Sequence, residues 1–157
     1  MPASYGIGRG GSAPGELLPW SRVVEWLERS RNYWVCTTRP DGRPHAKPVW
    51  GLWMDGALLF STDPNGVTAR NLAAGSPLSA HLESGDEVVI LDGDVEHPDD
   101  PALLRRFADA YDEKYGITVD ESNPSTPIIA LRPTKVLSWD EANYPETATR
   151  WAVPRRQ

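Results

Sequence analysis

The residues best suited to chemistry lie in residues 43–53, which read as a β-strand although they contain two prolines. Pro48 has no N–H group, so it is tolerated in a strand only at a sheet edge or at a bulge. Period-two alternation places His45 and Lys47 on one face of the strand and Pro48 and Trp50 on the other. A free strand edge, a nearby cation and flat aromatic surfaces suit a planar ligand that carries negative charge.

Further groups that could hold a phosphate follow in the next segments. The next predicted strand ends in Ser61 and Thr62, whose hydroxyls can donate hydrogen bonds, and a short helix is predicted to begin near Gly66. A helix N-terminus offers free amides to an anion, and Arg70 lies on the first helical turns. From these residues alone two interpretations stay open: a ligand site, or an ordinary edge strand with surface charges and core tryptophans.

Other kinds of chemistry have little support in the sequence. The hydrolytic and redox motifs G-x-S-x-G, H-E-x-x-H and C-x-x-C are absent. His45, His81 and His97 lie far apart, so no metal site is predicted. Cys36 is the single cysteine; it cannot form an internal disulfide, and we interpret it as a buried structural thiol.

Composition indicates one soluble globular domain. The chain has 157 residues, of which 39% are hydrophobic and 24% are charged. The net charge of −6 argues against a nucleic-acid partner bound through bulk electrostatics. No apolar run approaches the ~18 residues of a membrane span, and residues 1–19 lack the pattern of a signal peptide. We therefore expect no membrane association and a cytoplasmic location.

The elements that must position these residues are short and mainly β. Apolar periodicity predicts helices at about 21–30, with Ser21 as cap, and at 99–115, stopped by Gly116. Between turns rich in glycine and proline, six strands are predicted at 33–39, 45–53, 57–62, 78–83, 87–96 and 127–139. This order favours a small β-barrel with helices packed outside. Residues 1–19 are expected to form a flexible arm, 20–140 the cofactor-binding domain, and 141–157 an irregular tail.

The succession of segments resembles a known family. It consists of "RPHAKPVWGLW", the turn "MDG", "ALLFSTD", the helix "VTARNLAAGSP" and "LSAHLESGDEVVILDGDVE". Over roughly residues 20–140 this is similar to the pyridoxamine 5'-phosphate-oxidase-like FMN-binding split β-barrels, the flavin and deazaflavin oxidoreductases. The resemblance implies a mainly β (α+β) fold, a six-stranded antiparallel split β-barrel, and a homodimer with the cofactor site at its interface. In its small size the chain resembles the branch of the family that uses coenzyme F420 rather than FMN.

The resemblance also implies roles for particular residues. Lys47 matches the residue that holds the cofactor phosphate, and the start of the helix that carries Arg70 completes the phosphate site. The resemblance also implies three further sets of contacts. Pro48, Val49 and Trp50 match the ring edge, and Ser61 and Thr62 match the phosphate-side hydroxyls. Glu87 and Val88 match the strand that the second chain contributes.

One position departs from the family pattern. Thr68 stands where the family often has Lys or Arg, and Asp63 adds a negative charge nearby. A phosphate monoester such as FMN carries about −1.5 to −2 at neutral pH, whereas a phosphodiester such as F420 carries one negative charge. Fewer cations therefore favour F420 over FMN.

The implied function is hydride transfer between F420 or FMN and an unsaturated small molecule. No catalytic residue is identified, although His45, or a water near it, is a candidate proton donor. A non-catalytic binder or carrier of flavin, deazaflavin or haem on the same fold is the alternative, and a barrel whose site has decayed is a third possibility.

Overall fold

The computed structural model describes residues 8–9, 17–120, 126–144 and 146–153. Most of the predicted N-terminal arm, and the last four residues of the predicted tail, lie outside these ranges. None of the helices in the described ranges is long and apolar enough to span a membrane.

The described chain forms three α-helices, one 3-10 turn and nine strands. The helices are α1 (Trp20–Arg29), α2 (Val67–Ala73) and α3 (Pro101–Tyr115), and the 3-10 turn is Glu141–Asn143. The strands are β1 (Gly8–Arg9), β2 (Tyr33–Thr38), β3 (Pro44–Val49), β4 (Gly51–Met54), β5 (Ala57–Ser61), β6 (Leu78–Leu82), β7 (Glu87–Glu96), β8 (Ile128–Asp140) and β9 (Thr149–Ala152).

The strands form one curled sheet that is antiparallel except where β1 pairs with β9. Its order is β1-β9-β8-β7-β6-β2-β3, while β5 pairs with the first residues of β8 and β4 pairs with β5. The two edge strands β3 and β4 follow each other in the chain through Trp50. The edges of the curled sheet are therefore joined covalently rather than by a hydrogen-bond ladder, and the predicted split barrel is confirmed.

Three expectations about the elements were wrong. The predicted strand 45–53 is divided at Trp50, because the backbone N–H and C=O of Gly51 bond to the Tyr115 hydroxyl at 3.0 and 2.8 Å instead of continuing one ladder. The sheet has nine strands within the described ranges rather than six, because the division at Trp50 adds one strand, the tail expected to be irregular contains β9, and residues 8–9 of the expected arm form β1. Ser21 does not cap α1, which begins one residue earlier after Pro19, with no side-chain cap.

The core lies inside the curl and beneath two helices. Residues that alternate inward along β2, β5, β7 and β8 pack with the buried side of α1, and Val23, Tyr33, Phe60 and Val136 are almost fully buried. A second cluster forms where α3 covers β4, β5 and the start of β8. The Asp100 carboxylate caps α3 by accepting from the Ala102 amide, and Gly116 ends the helix in the left-handed region at φ 68°, as predicted.

Candidate functional site

Strand β3 is an edge of the sheet. It pairs with β2 alone, in the register Thr38–Pro44 to Tyr33–Val49. Ala46 and Pro48 are exposed, whereas His45 and Lys47 are half-buried and share the inward face with buried Val49. The edge position expected from the prolines is confirmed, and it leaves backbone groups on the other side of β3 without a strand partner.

Lys47 lies beside the end of β5. Its ammonium nitrogen donates to Thr62 Oγ1 at 3.0 Å, and Thr62 is buried. No carboxylate of the described residues lies within ion-pair distance of Lys47. Lys135 and five arginines, by contrast, each have a carboxylate partner. The structure thus brings Lys47 and Thr62 together and leaves the cation without an acidic partner among the described residues.

Helix α2 places polar side chains behind this pair. Thr68 is 1% exposed, and its hydroxyl has no hydrogen-bond partner among the residues that the structure describes. Asn71 is also buried and donates from Nδ2 to Thr37 Oγ1 of β2 at 2.9 Å. Asp63 is exposed in the turn before α2, where its carboxylate accepts from the Asn65 amide at 2.8 Å.

Other predicted residues lie apart from Lys47 within one chain. The Ser61 hydroxyl points to the start of β8 and donates to Pro127 O at 3.3 Å, and Arg70 is on the exposed side of α2. Glu87 forms an ion pair with Arg29, and Val88 lies opposite Trp139. Both belong to β7, which β6 and β2 separate from β3. Their assignment to the site of a second chain stays a prediction.

The side chain of Trp50 is taken up by packing with α3. Its ring stacks on Tyr115 with centroids 4.7 Å apart and planes 5° apart, and the Arg31 guanidinium lies 5.1 Å from its centroid. What Trp50 presents to a ligand along the edge is therefore its backbone.

The half-buried ammonium group of Lys114 lies under the junction of β3 and β4. The Lys114 ammonium donates to Tyr33 Oη at 2.9 Å and to Gly51 O at 3.2 Å, and burial lowers its pKa to about 8. Burial also raises the pKa of Tyr115 to about 12 and that of Tyr33 further above its ordinary value. Lys114 and Tyr115, both on α3, each bond to the Gly51 carbonyl, so the cluster fastens α3 to the junction of β3 and β4.

Sequence reasoning missed two members of the polar group around α2, namely Thr37 and Asn71. Alternation in "YWVCTT" puts Thr37 on the face of buried Tyr33 and Val35, where a hydroxyl is unusual, and this signal could have found it.

A separate groove of about 420 Å³ lies where β2, β6 and β7 meet the turn before β3. Cys36, Ser79 and Asp92 are among its lining residues, and none of the predicted site residues is. Cys36 is half-buried there, and burial raises the pKa of its thiol. Within the described ranges no group of His, Cys, Asp and Glu has the arrangement of a metal site.

The fold and the site together define a split β-barrel with a partly buried cation at its edge strand. Residues 20–140 match the family described as Pyridoxamine 5'-phosphate oxidase, and the chain belongs to this family. The match confirms the resemblance seen in the sequence. No curated protein matches the chain.

Solved structures share the fold at low sequence identity. A conserved hypothetical protein from Mycobacterium tuberculosis is 24% identical with a TM-score of 0.68, over 83% of this chain and 90% of that one. An F420 reductase is 23% identical with a TM-score of 0.55, over 71% and 93%. A haem-binding protein from Mycobacterium smegmatis is 19% identical with a TM-score of 0.64, over 84% and 56%.

Proposed function

We propose that the protein is an oxidoreductase that binds F420 or FMN along β3 and transfers a hydride between that cofactor and an unsaturated small molecule. The observation that carries the proposal is Lys47, a half-buried cation at a sheet edge that is held by Thr62 and has no described acidic partner. Proteins of this family bind flavins such as FMN, and one structural neighbour is an F420 reductase. Both facts support the proposal that this chain binds a flavin or deazaflavin.

The residues at the edge fit a cofactor that combines a phosphate ester with a planar ring. Lys47 supplies a cation for the ester and bonds to the Thr62 hydroxyl, and the buried Thr68 hydroxyl has no partner within the described residues. The backbone from Pro48 through Val49 to Trp50 offers the ring an open edge. When bound, the deazaflavin or flavin ring supplies the hydride chemistry, while the chain holds the ring in place and shields it from water.

The charge balance of the site favours F420 over FMN. Lys47 bonds to Thr62, Thr68 is uncharged, and Asp63 is exposed in the adjoining turn. Arg70, which would offset the missing cation, lies on the exposed side of α2. A singly charged phosphodiester suits this arrangement better than a monoester of about −1.5 to −2.

We further propose a two-fold homodimer with one cofactor site per chain at the interface. The outer face of β2, β6, β7 and β8 carries half-exposed apolar side chains in neighbouring rows, namely Trp34, Val88, Ile90, Leu137 and Trp139. An apolar face of this kind is typically covered by a symmetric partner. Glu87 and Val88 would then approach the site of the other chain.

A non-catalytic binding protein is the second candidate. The similarity to a haem-binding protein with a TM-score of 0.64 supports a barrel that holds flavin, deazaflavin or haem without turnover. A red-brown purified protein would favour haem, whereas hydride transfer from reduced F420 to an activated alkene would exclude a purely passive role.

Titration of the purified protein with F420 and with FMN, followed by fluorescence, tests the proposal. We expect both to bind, F420 more tightly. Thr68→Lys should narrow the difference in affinity between F420 and FMN by strengthening the binding of FMN. Ala69→Lys, which adds the same charge one residue away, should narrow this difference less. Absence of binding to either cofactor would refute the proposal, and FMN retained through purification with no response to F420 would refute the F420 preference.

A further inference from the structure

Three buried side-chain atoms have no hydrogen-bond partner within the described residues: Trp26 Nε1, His45 Nε2 and Thr68 Oγ1. Trp26 belongs to α1 and its apolar core. The other two belong to the elements that surround Lys47. Buried polar groups are almost always hydrogen-bonded in folded proteins, so an unpaired set beside a cation points to a group that the isolated chain does not supply.

The strand register and one hydrogen bond place His45 and Thr68 in the same layer. His45 lies directly opposite Thr37 in the pairing of β3 with β2, so their side chains leave the sheet on the same face. The Thr37 hydroxyl accepts from Asn71 of α2 at 2.9 Å. Asn71 and Thr68 are three residues apart and therefore adjacent on one face of α2.

Lys47 belongs to the same face. It is two residues from His45 along β3, and its ammonium bonds to Thr62 just before α2. His45, Lys47 and Thr68 thus surround one region between the edge strand and α2. Thr37 and Asn71 satisfy each other at its back, and this leaves the imidazole and the Thr68 hydroxyl as the unpaired groups.

We propose that His45 is a further donor to the phosphate ester that Lys47 binds, beside Thr68, which the family resemblance already implies in the phosphate site. The inference rests on the proposed function and assigns His45 to anion binding rather than to proton donation. In this arrangement His45 Nε2–H and the Thr68 hydroxyl each donate to a phosphate oxygen, and Lys47 provides the charge. The ester is held by one lysine and a set of short donors rather than by two cations.

The contrast with the other polar cluster supports a ligand rather than a purely structural role. Lys114, Tyr33 and Tyr115 are also partly or fully buried, yet each makes at least one hydrogen bond to another group of the chain. His45 Nε2 and Thr68 Oγ1 are buried and make none within the described residues.

Ligand pairs that differ only in the phosphate test this inference. Riboflavin and FMN form one pair, and F420 and its phosphate-free riboside form the other. Affinity is measured by fluorescence for the wild type, His45→Ala, His45→Gln and Thr68→Val, with His97→Ala as a control because His97 is exposed after β7. Circular dichroism and thermal melting confirm that each variant is folded.

We expect His45→Ala and Thr68→Val to weaken the phosphate-bearing ligand of each pair by about tenfold, the size expected for one lost hydrogen bond to a charged group. Affinity for the phosphate-free ligand should stay within about twofold. His45→Gln, which keeps an N–H donor, should recover part of the loss, and His97→Ala should change nothing.

A structural role for His45 would weaken both members of a pair equally. That result, or no change in either, would overturn the inference while the proposed function stands. If Thr68→Val alone shows the selective loss, the assignment of His45 is overturned. If the wild type binds none of the four ligands, the proposed function fails with it.

Discussion

At the scale of single residues, the proposed cofactor binding depends most on Lys47. Replacing it with alanine removes a charge-assisted contact, which is typically worth about 1.5–3 kcal/mol. Lys47→Ala should therefore weaken binding of F420 or FMN roughly ten- to a hundredfold, measured by fluorescence titration. The matched control is Lys135→Ala, because Lys135 is paired with Asp92 at 2.6 Å on another part of the sheet. A folded Lys47→Ala protein with unchanged affinity would remove Lys47 from the site.

Lys114 makes stability depend on pH. Its pKa is lowered from 10.5 to about 8, chiefly by burial, so the unfolded chain binds more protons between these values. The free energy of unfolding should therefore rise with pH from about 8 towards 10. The rise should be of the order of 1–2 kcal/mol, because half-exposure and solvent screening reduce the full effect of the shift.

Urea unfolding of the wild type and Lys114→Met at several pH values measures this rise. The variant should lack it. Above about pH 10 both proteins should lose stability, because Tyr33 and Tyr115 ionise less readily when folded than when unfolded. Parallel curves for the two proteins between pH 8 and 10 would show that Lys114 does not titrate as its burial implies.

At the scale of elements, one edge of β8 pairs with two different strands. Residues Ile128–Leu131 pair with β5, and Lys135–Ser138 pair with β9. The change occurs at a bulge, where Asp92 pairs with Lys135 but Gly93 pairs with Pro133 and Thr134 is the extra residue. Bulges bend a strand and increase its twist, and this bend helps to curl the sheet into a barrel.

The bulge requires glycine at residue 93. A Cβ there would lie 2.0 Å from the Arg132 carbonyl oxygen, which is backbone and cannot move aside cheaply. Gly93→Ala should therefore lower the free energy of unfolding by about 3 kcal/mol or more, or ~6–12 °C in Tm for a chain of this size. Gly85→Ala is the control, since a Cβ there meets nothing within 4 Å. Equal melting temperatures for the two variants would contradict the close approach at the bulge.

At the scale of the whole molecule, the proposed homodimer would complete the site. Sedimentation or light scattering at micromolar concentration should give twice the chain mass of 17.4 kDa. Ile90→Glu combined with Leu137→Glu adds charge to one row of the outer sheet face and should yield monomers that bind F420 and FMN weakly. Ile117→Glu, at a residue 47% exposed beyond α3, should leave the dimer intact. A wild-type monomer would refute the dimer.

The sequence alone determined where most elements lie and what the edge strand offers. Asp55-Gly56 turns the chain with φ values of 51° and 75°, and Gly116 ends α3, because few other residues adopt these conformations readily. Pro48 predicted an edge or a bulge because a missing N–H is a local property of one residue. Alternation along one strand fixes the face of Lys47, whereas its role as the cation of the site was implied by the family resemblance.

The tertiary structure alone decided which distant groups meet. The strand breaks at Trp50 because Tyr115, 64 residues beyond Gly51, satisfies the Gly51 backbone. The tail acquires β9 because β8 has an unpaired stretch beside it, and Asn71 meets Thr37 across 34 residues. No local propensity encodes such pairings, since each depends on hydrogen-bond partners that only the assembled fold brings within about 3 Å. The unpaired atoms of His45 and Thr68 could therefore be recognised only once the chain was folded around them.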